Sequence, residues 1–270
     1  MKRRDFLTAT TLGVTASLMG QTGKTAFGSD AGQKTQRFIE LRIFETENEA
    51  KKTALMDKLD AELIPFRNDL GLDKVGIFAV NQELHKDDSG YDHRFDNVVF
   101  VVSESESVEK LAILTETLQQ KDAPEASLNA NPGDRDWINQ TCGLLHAFPI
   151  CPRIEVPNMS PDRVLQLRCY YSPNYERNKA KMNMFGVRGE LELFRHCNMN
   201  PVFFGNTLYG DMLPSVTYML SFENDQARQE GWQKFVKSDE WKAMSQESAF
   251  NDTAIRIRNL FLKPSAKSQI

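Results

Sequence analysis

The sequence predicts an α+β protein built from two tandem βαββαβ units. Three observations carry that expectation: an internal repeat, an ordered succession of strand-like and helix-like segments within it, and a globular composition. Phe38-Ile39-Glu40-Leu41-Arg42-Ile43-Phe44 aligns with Val164-Leu165-Gln166-Leu167-Arg168-Cys169-Tyr170 around a shared Leu-Arg pair, with Leu41 and Leu167 126 residues apart. Both segments alternate with period two, as strands do. Of the 270 residues 40% are hydrophobic and 26% charged, enough to bury a sizeable core.

A helical stretch follows each anchor strand. Leu55, Leu59 and Leu63 recur every four residues, with Met56 widening the stripe, and Met184, Val187, Leu191 and Phe194 form the matching face in the second unit. Pro65 and Asn198-x-Asn200-Pro201 are expected to stop these helices. Second strands are expected over 74–80 and 201–205, and third strands over 97–102 and 216–222, from their β-branched and aromatic content. A second helix carries Val108, Leu111, Leu114 and Leu118 in the first unit, and Ala227, Gly231 and Phe235 beside Trp232 in the second. Closing strands fall near 144–148 and 255–262. This order is the ferredoxin-like one, a four-stranded antiparallel sheet with two helices on one face. The bare faces of two such sheets can cover each other, so the units are expected to pack sheet to sheet as a pseudo-dimeric α+β barrel within one chain. The predicted division is 37–150 for the first domain, 151–162 for a Pro-rich linker, 163–264 for the second domain and 265–270 for a tail.

Residues 1–36 read as a signal peptide and disordered linker. Arg3-Arg4-x-Phe6-Leu7 precedes an uncharged, mildly apolar stretch, Leu12 to Met19, too short to span a bilayer. The segment resembles the twin-arginine motif of bacterial proteins exported already folded, which implies the periplasm or cell envelope. Ser29-Asp30-Ala31 offers a cleavage site and Ala16 an earlier one, and Gly20 to Gln36 is expected to be disordered. No transmembrane span is predicted. The net charge of −4 argues against nucleic acid as a partner. Cys142, Cys151, Cys169 and Cys197 lack C-x-x-C spacing, and folding before export from a reducing compartment points to free buried thiols.

Strand alternation nominates site residues. Ile39, Leu41 and Ile43 share one face, and Glu40, Arg42 and Phe44 the other. The aliphatic row is expected beneath the helices, so Glu40 and Arg42, with Gln166, Arg168 and Tyr170 in the second unit, would point into the barrel as candidate ligand-binding residues. An arginine there must be paired or must bind an anion. A Glu40–Arg42 network that fixes the packing ranks ahead of an anionic-ligand site. His85 and His93 among Asp87, Asp88, Asp92 and Asp96 read as a solvated charge run rather than a metal site. His146 reads as a core histidine, and His196 as a cation at a helix C-terminus whose neighbour Cys197 is weak grounds for a nucleophile. Trp232, Phe235 and Trp241 read as core, and Ser238-Asp239-Glu240 as a helix start. No metal, cofactor or catalytic residue is predicted, because no nucleophile elbow, phosphate loop, dinucleotide fingerprint or metalloprotease helix appears.

Leu41-Arg42-Ile43-Phe44-Glu45, Pro201-Val202-Phe203-Phe204-Gly205, Tyr218-Met219-Leu220 and Trp232 with Ser238-Asp239-Glu240-Trp241 resemble the NIPSNAP family of the dimeric α+β barrel superfamily. The resemblance is strongest in the second unit. The first lacks the Asp-Glu-Trp element, and its hairpin loop, Gln82 to Asp96, is longer. The resemblance implies a bacterial cell-envelope protein, and the family implies no single activity. Three functions are expected, in order: a binding protein holding a small, anionic molecule in the barrel; a cofactor-free monooxygenase or isomerase of the same superfamily, by analogy of fold; and an envelope interaction module. A dry apolar cavity would favour the first, an acid or base facing the cavity the second, a filled barrel the third. The internal pseudo-dimer makes a monomer sufficient, with further oligomerisation left open.

Overall fold

The computed structural model describes residues 35–72, 74–117 and 133–270. The twin-arginine segment, the cleavage sites and Leu118 lie outside them. Eight strands close into one antiparallel barrel: β1 (Phe38–Glu45), β2 (Val75–Val80), β3 (Val98–Ser105), β4 (Asn139–Ala147), β5 (Val164–Tyr171), β6 (Asn200–Tyr209), β7 (Ser215–Phe222) and β8 (Arg256–Pro264). Their ring order is β1-β3-β2-β8-β5-β7-β6-β4. Each half of the chain therefore fills one arc, β4-β1-β3-β2 or β8-β5-β7-β6. One seam pairs Phe78 to Val80 with Leu262 to Pro264, and the other pairs Leu144 to Ala147 with Gly205 to Tyr209 across a bulge.

The helices lie outside this ring: α1 (Glu49–Lys58), α2 (Ile64–Asp69) and α3 (Val108–Thr117), then α4 (Tyr175–Phe185), α5 (Glu190–His196), α6 (Asp225–Lys237) and α7 (Asp239–Ser245). Asn48, Asn174, Asn224 and Ser238 each accept a hydrogen bond from the backbone N–H three residues on, which satisfies a donor that the first turn leaves orphaned.

Two helix expectations need correction. Pro65 does not stop its helix: a π-helical turn, Leu59–Leu63, runs directly into α2 with Pro65 in its first turn. The wider turn interrupts the regular hydrogen-bond ladder there, so the missing N–H of proline removes little. Val187 is 86% exposed, because the stretch from Met184 to Phe194 is two helices. Gly189, at φ 92°, starts the second of them in a conformation that side chains rarely adopt.

The two faces of the strands are also reversed from expectation. Ile39 and Leu41 line the barrel interior with Phe78, Phe100, Leu145, Leu165, Leu167, Phe203, Met219 and Leu260. Phe44 faces outward, packed with Leu55, Leu59, Leu63 and Ile64 from the helical layer. Glu40 and Arg42 share that outward face. The interior receives side chains from strands on every side and offers few counter-charges, so it takes the aliphatic row. The outer face meets helix ends that bring polar partners.

One end of the barrel is filled. Ile154, from the Pro-rich linker, and Ile270 both belong to the interior cluster. Ile154 N–H donates to Glu104 Oε2 at 2.6 Å, near the end of β3, and Glu155 N–H donates to the Val202 carbonyl at 2.8 Å. The segment expected to be a tail docks along β2, with Ser265 N–H bonded to the Ile77 carbonyl and Gln269 N–H to that of Val75. Gln36, at the end of the segment expected to be disordered, donates to the Ala147 carbonyl.

Candidate ligand site at the open end of the barrel

The nominated residues form two unlike clusters beneath the helices. In the first half, Glu40 is 3% exposed and binds two guanidinium groups, Arg42 Nε at 2.6 Å and Arg67 Nη1, from α2, at 2.7 Å. Arg42 Nη2 donates to Thr115 Oγ1 on α3 at 2.8 Å, and Arg67 donates to the Ser103 hydroxyl. Burial alone would raise the Glu40 carboxyl, but Arg67 and Arg42 more than offset it and hold it below the ordinary 4.5. In the second half, Gln166 Oε1 accepts from Trp232 Nε1 at 2.7 Å, and Gln166 Nε2 donates to Asn259 Oδ1 at 2.7 Å. Arg168 lies 4.8 Å from the Trp232 ring centre and 5.2 Å from that of Tyr170, and its buried Nε meets no acceptor. The Tyr218 hydroxyl is 3.3 Å from that of Tyr170.

A wide space lies elsewhere. At the end opposite Ile154 and Ile270 a cleft of about 1010 Å³ opens between the end of β1, the starts of β3, β4 and β8, and the β6–β7 turn. It narrows to a neck of about 50 Å³ lined by Ile43, Cys169, Tyr171, Thr207, Thr217 and Arg258, with Leu41 and Leu145 below. The barrel is thus filled in its lower part and open above.

Arg258 stands where cleft and neck meet. Its guanidinium packs 4.8 Å from the Phe95 ring centre and 5.6 Å from that of Tyr171, with Nη2 3.4 Å from Asp211 Oδ2. Its buried Nε has no hydrogen-bond partner. Arg256, one pleat above, is exposed and rests on Met212 Sδ at 3.4 Å. Arg94, also in the cleft wall, is held by Asp92, whose carboxyl that hydrogen bond lowers to about 2. In the neck, burial raises both the Tyr171 hydroxyl and the Cys169 thiol, so both stay protonated at neutral pH. Sequence reasoning missed this site. Its signal was present in β8, where Arg256, Arg258, Leu260 and Leu262 alternate on the face that lines the interior.

The long loop between β2 and β3 supplies His93, Arg94 and Phe95 to the cleft. It is fastened to the other half through His85, which is buried rather than solvated. His85 Nε2 accepts from the Phe261 N–H at 2.9 Å, between Tyr91 and Phe261 stacked at 4.2 and 4.7 Å. His93 is exposed beside Asp96, and no group of His, Cys, Asp and Glu suited to a metal occurs among the described residues. His146 sits on the outer face, stacked on Phe38 at 5.0 Å, rather than in the core. Trp232, Phe235 and Trp241 pack together as expected, and Ser238 caps α7. The four cysteines are unpaired, with Cys142 alone exposed.

The closed eight-stranded antiparallel barrel jacketed by helices has the fold of the dimeric α+β barrels. Three solved structures share the fold. A candidate monooxygenase from Fusobacterium nucleatum subsp. nucleatum ATCC 25586 aligns over 85% of this chain and 93% of its own, at 9% identity and a TM-score of 0.56. A candidate monooxygenase from Lactobacillus acidophilus NCFM aligns over 85% and 94%, at 10% identity and 0.52. An anthrone oxidase-like protein aligns over 87% and 94%, at 11% identity and 0.52. Within the second half, residues 165–269 match the NIPSNAP family model. No curated protein matches the chain by sequence.

Proposed function

We propose that the protein binds a small anionic molecule at the open end of the barrel, with Arg258 as the principal contact. The observation that carries this reading is the Arg258 Nε, buried at the throat of a cleft and without an acceptor. A ligand carboxylate or phosphate would satisfy it, with Arg256 adding charge from the rim and Phe95 and Tyr171 walling the body of the ligand. Within the neck, burial keeps the Tyr171 and Cys169 groups neutral, so neither acts as a base there. The cofactor-free oxygenase reading draws on the names of the structural neighbours, and the fold they share does not carry their chemistry over.

Arg258→Met is expected to weaken the binding of such a ligand about 10- to 100-fold, since a hydrogen bond to a charged group contributes about 1.5–3 kcal/mol. A thermal-shift screen of carboxylates and phosphates, followed by titration of the hit on both proteins, measures this. Equal affinities, or no hit on the wild type, would reject the site.

The two arcs are taken to be tandem ferredoxin-like units related by a pseudo-twofold axis, both contributing to the cleft wall. The chain is taken to be exported by the twin-arginine route to the periplasm or cell envelope, on the strength of Arg3-Arg4-x-Phe6-Leu7. Changing both arginines to lysine is expected to retain the protein in the cytoplasm, as fractionation would show. Unchanged export would remove the assignment.

A further inference from the structure

The two halves carry the same arginine in the same place, bound in one by a carboxylate that Arg67 shares and in the other by no carboxylate. Arg42 and Arg168 both stand on the outward face of the first strand of their unit, under the helices. In the first half a carboxylate, Glu40, sits two residues before the arginine and binds it directly, at 2.6 Å. In the second half that position is Gln166, and its amide is already committed at both ends, accepting from Trp232 and donating to Asn259. No carboxylate lies within ion-pair distance of Arg168 among the described residues. The nearby acid Glu190 is buried and taken by Lys181 at 2.9 Å. The guanidinium lies over the rings of Tyr170 and Trp232, half-buried, with the Tyr218 hydroxyl as a side-chain hydrogen-bond partner and Nε facing no acceptor.

A cation withdrawn from water needs a counter-charge or a hydrogen-bonding substitute, and the aromatic faces supply only part of it. We propose that the outer face of the second half is a small-anion site, in which Arg168 binds a planar monoanion such as a carboxylate in the role that Glu40 plays toward Arg42. The charge balance selects a monoanion, because Lys181 is already neutralised by Glu190 and one guanidinium remains. The flanking rings select a flat group, since a carboxylate can accept in the guanidinium plane while the rings cover its faces. The site is separate from the cleft: Arg168 faces the helices, and Arg258 faces the barrel interior.

The probe is formate, exchanged for sulfate at constant ionic strength, with melting temperature as the readout on the full chain. Wild type is expected to melt higher as formate rises and to saturate. Arg168→Met should abolish the rise. Gln166→Glu, which supplies the carboxylate from within as in the first half, should abolish it too while raising the melting temperature without formate. Arg258→Met should keep the rise. A rise of equal size in all four proteins, or none in wild type, would overturn the proposal. A rise lost in Arg258→Met and kept in Arg168→Met would also overturn it, and would leave the cleft reading standing.

Discussion

Glu40→Leu is expected to destabilise the protein by about 3–5 kcal/mol, the range for removing one partner of a buried ion pair. The carboxylate is the shared acceptor of Arg42 and Arg67, and Arg67 is fully buried. Leucine would leave two guanidinium groups facing each other with Thr115 and Ser103 as their remaining partners. Urea unfolding should show a lower midpoint with an unchanged slope, and a loss below about 1 kcal/mol would mean that solvent reaches the pair. The double variant Glu40→Gln with Arg67→Leu rebuilds the second half's pattern, one guanidinium beside a glutamine, and should recover much of the loss. The pH dependence has a definite sign. The folded carboxyl titrates below the ordinary 4.5, so its contribution is present above that value and is lost as pH falls through the lowered one.

Phe185→Ala is expected to cost about 3–5 kcal/mol for a different reason, the cavity left in an aromatic cluster. The ring is fully buried at the end of α4 and meets Phe204 and Tyr218 at 5.2 Å, Tyr170 at 6.1 Å, Phe194 at 6.2 Å and Phe148 at 6.3 Å. Those neighbours come from β5, β6, β7, α5 and the residue after β4, so they cannot close the gap by moving together. Phe185→Leu keeps most of the volume and should cost less than half as much in the same urea experiment. Equal costs for the two variants would locate the effect in ring–ring geometry rather than in volume.

The order of elements was legible because local periodicity writes it: alternation in β1 and β5, four-residue spacing in α1 and the turn that follows. The facing of the strands was not. In a barrel wrapped by helices both faces are buried, so Ile39 and Phe44 look equally internal, and only the partners across space decide between them. Arg67, which completes the Glu40 network, is 27 residues from its partner and carries no local mark. The cleft was half legible. Arg256 and Arg258 alternate with Leu260 and Leu262, but the walls facing them come from β1, β3, β4 and the loop after β2, which only closure of the ring brings together. His85 belongs to the same lesson, since its partner, the Phe261 N–H, is 176 residues away.

A ring closed by one chain is released from a constraint that binds its two-chain counterparts. Where two identical subunits form the barrel, every substitution is made twice, and any residue that suits one jacket must suit its symmetry mate. Here the two arcs are free to differ. One half sets Glu40 between Arg42 and Arg67, while the other sets Arg168 beside Gln166, Tyr218 and the rings of Tyr170 and Trp232. The loop between β2 and β3 is long and reaches the cleft, and that between β6 and β7 is short. A ring made of one chain thus lets one wall differ from the wall that faces it.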